Sequence, residues 1–424
     1  MSAGRRQRGA LPRLPLDFAD RTRLPAAEVA GARILSELPG PAGREVWRVL
    51  RLVLDFAAGQ HAVEWFDAAY LDAWEEHILR GPLEAPLRLP LGVIVGELTA
   101  PHEAERPLLG HGCWCVADWA SGRYEETALA FAEAAALCWP ENGRYAMVAG
   151  RLFRKAGRLR EAELWLRRAR RLAVWHEDWE AAVLSTSSMG MLEWERGNYK
   201  PSIEHLEQAE RLARRHQLRR LEGEVLHNRV LLAVFTGQTD AATTYAEAAL
   251  DRYLPVHPQL PALAYDLAYL WLTKGYARRA LPVFESLLPH FKEPERRLQV
   301  YAAIAKAAGL LGDRDRFRNA SARVEEIAAI QPRVRTLAAA LVDAGLGAAE
   351  LGDAVVAREA LQRGLAVAEA AGQADMVVAA ERAINRIDQP SKDGLLRDPR
   401  SGLRAHDELA ERFVRVLEEQ PASC

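Results

Sequence analysis

The chain has 424 residues, 49% of them hydrophobic and 27% charged, with a formal net charge of -2. That balance gives no global electrostatic case for nucleic acid or a membrane surface, and no apolar run approaches the ~20 residues of a membrane-spanning helix. Cys113, Cys115, Cys138 and Cys424 are too few in so long a chain for a disulfide framework, so a reduced, cytoplasmic setting is expected.

Residues 1–25 read as a basic, poorly structured arm. Pro12, Pro15 and Pro25 interrupt helix, and Arg5, Arg6, Arg8, Arg13, Arg21 and Arg23 face only Asp17 and Asp20. The stretch from Leu11 to Phe18 is too broken to be the apolar core of a secretion signal. Residues 26–105 read as an N-terminal helical subdomain without a repeat. Its stripes are Val46, Val49, Leu50, Val53 and Leu54; then Val63, Phe66, Tyr70, Trp74 and Ile78; then a short apolar helix from Leu87 to Leu98.

Over 108–387 a helix-hairpin unit recurs seven times. Its turn glycines are Gly122, Gly157, Gly197, Gly237, Gly275, Gly312 and Gly352, spaced 35, 40, 40, 38, 37 and 40 residues apart. A period of that size marks a helical solenoid, in which each hairpin buries its apolar face against its neighbours. The terminal hairpins then need covering, and the 26–105 helices are expected to cover the first. Small residues recur where paired helices cross: Gly150, Ala162 and Ala169 in the second unit, Gly190 and Ala209 in the third, Ala242 and Ala249 in the fourth. Ala280 and Phe284 mark the fifth, and Gly345, Ala357 and Leu361 the seventh; the sixth, around Gly312, fits the pattern least. A linker, 388–402, carries Pro390, Gly394 and Pro399. Within 403–424 a last helix, with Leu409, Phe413, Val416 and Leu417 on one side, is expected to cap the seventh hairpin rather than fold back into a groove.

The hairpin pattern resembles the tetratricopeptide repeat family over about two thirds of the chain. Most units exceed that family's usual length of about 34 residues, as in the longer repeats of peptide-pheromone receptors and peptide-holding adaptors. The resemblance implies an all-α, right-handed superhelical solenoid of about seven hairpins, with an N-terminal helical cap and a C-terminal helix. It also implies that the first helix of each hairpin lines a concave groove. Carried over by position, the groove residues are Arg144, Met147, Arg151, Arg154 and Lys155 in the second unit, then Ser187, Met191, Trp194 and Glu195. Glu224, His227, Leu231 and Phe235 follow, then Tyr265, Tyr269 and Thr273, then Lys306. Asn228, beside His227, is the amide that would hold a peptide backbone. Such a groove is basic near its N-terminal end and aromatic further on, which suits an extended peptide with acidic groups. The alternatives are that Met147, Leu231 and Phe235 are hairpin core and that the cations only solvate a helix face.

Two further clusters weigh less. Arg167, Arg168, Arg170 and Arg171, with Arg211, Arg214, Arg215, Arg219 and Arg220, could form a ridge for phosphates. The plainer reading is cations at helix C-termini with i,i+4 partners, such as Glu207 to Arg211 and Glu210 to Arg214. His111, Cys113, Cys115 and Cys138 have metal-ligand types, but residues two apart on a helix point away from each other, so Cys113 and Cys115 cannot share an ion. The chain lacks HExxH, GxxxxGK[ST] and GxSxG. Asp67, Asp72, Glu75, Glu76 and His77 lack the Glu-x-x-His spacing of a di-iron bundle. The expectation is therefore a non-enzymatic scaffold, with no cofactor or metal, that binds a protein or peptide partner and could form a homodimer. A ligand-responsive regulator of the peptide-receptor type, with 26–100 as its effector bundle, is the second reading. Nucleic-acid association through the arm and the ridge is the third.

Overall fold

The computed structural model describes residues 24–59, 67–81, 83–254, 256–330, 336–388 and 404–419. The arginines of the arm, Val63, Phe66, the linker from 389 to 402 and Cys424 lie outside them. The described residues are helical, and no strand occurs among them. Two compact units are formed, Met1–Val225 and Leu226–Cys424.

In the first unit, α1 (Leu24–Glu37), α2 (Pro41–Ala57), α3 (Ala68–Arg80) and α4 (Ala85–Glu97) precede three hairpins. These are α5 (Arg106–Ala120) with α6 (Glu125–Cys138), α7 (Gly143–Lys155) with α8 (Leu159–Trp175), and α9 (Trp179–Glu195) with α10 (Tyr199–Arg215). The boundary between the units falls inside α11 (Arg219–Phe235), whose later turns pack against α12 (Thr239–Tyr253). The second unit continues with α13 (Leu260–Thr273) and α14 (Ala277–Leu287), α15 (Pro294–Leu311) and α16 (Arg314–Ile330), and α17 (Leu337–Glu350) and α18 (Ala354–Ala370). Then come α19 (Ala374–Asp388) and α20 (Arg404–Glu419).

Each of the seven turn glycines has a positive φ, between 72° and 87°, the left-handed conformation that is cheap only without a Cβ. Two of the turns that lead from one hairpin to the next, at Glu177 and Gln217, use the same conformation without glycine, so those two carry no sequence mark. Inside three hairpins a glycine of the first helix receives a leucine of the second. A Cβ at Gly150 would lie 2.7 Å from Leu166, at Gly190 2.9 Å from Leu206, and at Gly345 2.7 Å from Leu361.

The N-terminal helices do cover the first hairpin. The carboxylate of Glu37, the last residue of α1, accepts from the backbone N–H of Glu126 (2.7 Å) and Thr127 (3.0 Å) and from the Thr127 hydroxyl (3.1 Å). These are orphan donors of the first turn of α6, so a residue far away in sequence supplies that helix with its cap. In the second unit, α15 and α17 meet backbone to backbone. A Cβ at Gly309 would overlap the Gly347 carbonyl, and a Cβ at Gly347 would lie 2.6 Å from the Ala305 carbonyl oxygen.

The C-terminal helix departs from expectation. It packs on α14 and, less extensively, on α13, the fifth hairpin, rather than on the seventh. The seventh hairpin is followed instead by α19, which buries Ala380 and Ala383 and turns Glu381, Arg382 and Arg386 outward. That polar outer face lets α19 end the stack. His406 of α20 is buried beside Arg279 of α14, with Asp407 of its own helix and Asp240 of α12 also acting on it. Desolvation first, and the Arg279 charge second, hold its pKa below the ordinary value. The undocked helix therefore takes up a proton more readily than the docked one. This contribution to docking is complete above the ordinary histidine range and is lost as pH falls through it. Hydrogen exchange in 404–419 is expected to accelerate between about pH 7.5 and pH 5.5 relative to α14, and equal acceleration of both would refute this.

Candidate functional site

Arg144, Arg151, Arg154 and Lys155 all stand on α7, the last three at i, i+3 and i+4 and hence on one face. Their surroundings divide them. The Arg144 Nε donates to Asp178 Oδ2 at 2.9 Å, and its Nη2 lies 3.5 Å from Glu180. Asp178 also accepts from the Ala181 N–H and so caps α9. Arg144 is thus a strut between α7 and α9. Arg154 is ion-paired with Glu195 of α9, and its side chain is only 15% exposed. Its Nε is buried with no hydrogen-bond partner among the described residues.

Arg151 and Lys155 differ. Both are exposed to solvent, and neither forms an ion pair among the described residues. Yet both are held below their ordinary pKa, chiefly by desolvation. The Arg154 charge adds to this at Arg151, partly offset by Glu224, and the charges of Arg151 and Arg154 add to it at Lys155. Of the two carboxylates that act on Arg151, Arg154 and Lys155, Glu195 is paired with Arg154 and Glu224 with Arg220. The arrangement is short of negative charge, and an incoming carboxylate or phosphate would supply it. Of the apolar candidates nearby, Met147 and Met191 are each 7% exposed and belong to the hairpin interior, while Trp194 is half-buried on α9.

In the second unit the candidates converge on acidic residues absent from the sequence reading. The phenol of Tyr269 donates to Asp343 Oδ2 at 2.8 Å, and Lys306 Nζ donates to Asp343 Oδ1 at 2.7 Å. The ammonium also lies 5.4 Å over the Tyr269 ring. Tyr265 stacks on Tyr269 with centroids 5.9 Å apart. Burial, then the charges of Asp343 and Asp266, push the Tyr265 phenol far above its ordinary range. His227 is buried with Nε2 2.8 Å from Asp266 Oδ2 and Nδ1 3.4 Å from the Tyr253 hydroxyl; Asn228 is half-buried. Tyr269, Lys306 and His227 are thus engaged in tying first helices together, a structural employment that the groove reading did not include.

The arginine ridge is largely paired. Arg167 meets Glu163, Arg211 meets Glu207, Arg214 meets Glu210 and Glu222, and Arg220 meets Glu224. Arg168 is buried, its Nη2 donating to the Pro140 carbonyl at 2.6 Å, and desolvation lowers its pKa to about 10. Cys113 and Cys138 are buried against each other, and their mutual hydrogen bond, then burial, pushes the Cys113 thiol well up. Cys115 faces the other way, 3.6 Å from His111 Nε2. No group of three or more His, Cys, Asp or Glu side chains able to hold a metal converges among the described residues, and no described helix is long and apolar enough to cross a membrane.

No family model matches the chain, and no curated protein matches it. Among solved structures, the crystal structure of the P58(IPK) TPR domain is similar at 14% identity, covering 84% of this chain and 100% of that one, with a TM-score of 0.23. At that score the two chains do not superpose as wholes.

Proposed function

We propose that the chain is a non-enzymatic interaction scaffold that binds an acidic, extended segment of a partner protein on the α7–α9 face of its first unit. The observation that carries this is the pair Arg151 and Lys155: accessible, desolvated, mutually repelling, and in no ion pair among the described residues. Arg151 would take a carboxylate through its fork and Lys155 as a point charge. Trp194 would supply apolar contact at the edge. Arg144 and Arg154 are framework in this reading, since their charges are already engaged with Asp178 and Glu195. The free thiols of Cys113, Cys115 and Cys138 suit a reducing compartment.

A binding residue of this kind has a recognisable signature. Removing Arg151 relieves repulsion with Arg154 and Lys155, so Arg151→Gln is expected to leave the thermal midpoint unchanged or raised. The same change is expected to weaken an acidic peptide at least tenfold, about 1.4 kcal/mol. Melting and fluorescence anisotropy on the same preparation check both. Destabilisation with unchanged affinity would make Arg151 a structural residue and remove the assignment.

A further inference from the structure

The way α20 is held marks it as a ligand of the second unit rather than a member of its stack. In chain order it follows the seventh hairpin and α19, yet it sits on the fifth. One stripe of the helix is buried: Leu409 at 4%, Phe413 at 0% and Leu417 at 1%, with Ala410 between. Glu408, Glu411, Arg415, Glu418 and Glu419 face water. An i, i+4, i+8 set of apolar anchors on an otherwise charged helix is the pattern of a helix laid in a groove.

The polar contacts fix register and direction. Arg279 of α14 holds Asp407 Oδ1 at 2.8 Å from Nε and 2.7 Å from Nη2, at the N-terminal end of α20. Asp251 of α12 takes Arg412 at 2.6 Å in the middle. His290, just after α14, donates from Nε2 to the Leu417 carbonyl at 2.8 Å near the far end, where helix carbonyls lack partners. The receiving side has its own support. The Arg279 guanidinium lies 4.8 Å from the Tyr276 ring and 5.5 Å from the Trp271 ring, which orient it from beneath. A receptor group positioned by its own hairpin does not need the helix in order to be in place.

We propose that the α12–α14 surface is a helix-docking site, that α20 is its built-in occupant, and that its external partner is an amphipathic helix of the same design. That design is an acid two residues before the first of three apolar anchors spaced by four, and an arginine one residue before the second. Because α20 belongs to the same chain as its site, it competes with an external helix intramolecularly, at an effective concentration on the order of a millimolar. A partner helix of micromolar affinity therefore binds well only when α20 has left.

The test uses the full chain. A fluorescent peptide of residues 404–419 is titrated into wild type and into the Phe413→Asp chain, whose α20 no longer seats. Micromolar binding to the variant and at least hundredfold weaker binding to wild type are expected. A second pair keeps register in view: an Arg412→Glu peptide is expected to bind a Phe413→Asp/Asp251→Arg chain and to fail on Phe413→Asp alone. In the unaltered chain, amides of 404–419 are expected to exchange faster than those of α14, as a separately opening element does. A peptide that does not bind the folded variant would overturn the proposal. So would loss of the second unit's cooperative melting in Phe413→Asp, together with equal exchange protection of α14 and α20 in wild type, because α20 would then be integral core.

Discussion

Gly347→Ala is expected to destabilise the second unit, by about 1–3 kcal/mol, and Gly347→Val by more. The sign is what matters. Glycine inside a helix costs roughly 0.8–1.0 kcal/mol relative to alanine, so at an uncrowded position the change to alanine stabilises. At Gly347 the new Cβ would meet backbone on the neighbouring helix: the Ala305 carbonyl oxygen at 2.6 Å, its carbon at 3.0 Å and the Lys306 Cα at 3.1 Å. Backbone cannot swing aside as a side-chain tip can. The clash therefore has to be relieved by moving α15 away from α17, which also opens the crossing at Gly309. Urea melts of the variant report the change, and a Gly347→Ala protein that melts higher than wild type would show that the two helices do not meet as described.

The same crossing makes Asp343 the second large effect. Its side chain is 11% exposed, and the carboxylate serves two donors, the Tyr269 phenol and the Lys306 ammonium. Asp343→Ala leaves a lysine whose side chain is only 15% exposed without its counter-charge, and a buried phenol without its acceptor. Removing one partner of a buried ion pair costs about 3–5 kcal/mol, because the remaining charge stays desolvated. Asp343→Asn keeps an acceptor for one donor and is expected to cost less. Asp343→Ala/Lys306→Met removes the stranded charge and is expected to recover most of the loss, which a double-mutant cycle resolves. A single Asp343→Ala change of under about 0.5 kcal/mol, the scale of an ordinary surface substitution, would mean that the network contributes little.

The hairpins were legible because each leaves a local mark. A left-handed turn favours glycine, and all seven turn glycines read from the spacing adopt that conformation. The crossing glycines Gly150, Gly190 and Gly345 were visible for the same reason, each standing opposite a leucine. The site residues were legible only by halves. Arg144, Arg154, His227, Tyr269 and Lys306 are where the repeat places them, but what each does depends on a carboxylate from another helix. Asp178, Asp266 and Asp343 carry no mark of their own, and Glu195 was marked as a groove position but not as the partner of Arg154. One signal was present. Tyr269, Lys306 and Asp343 are successive steps of 37 residues (306 − 269 and 343 − 306), equivalent positions of three consecutive first helices. Aligning the repeats column by column would have paired them. The seat of α20 had no such signal: an amphipathic stripe shows that a helix must be covered, but not by which surface. Arg279 and Asp407, 128 residues apart, meet only in the folded chain.

The most direct measurement of the central claim is a selection of random peptides displayed on phage against the wild-type chain and the Arg151→Glu/Lys155→Glu chain, with matched melting curves. The expected result is enrichment of peptides carrying Asp or Glu on wild type, lost on the variant while its melting is preserved. Equal enrichment on both chains, or no acidic preference on wild type, would contradict an acidic ligand on the α7–α9 face.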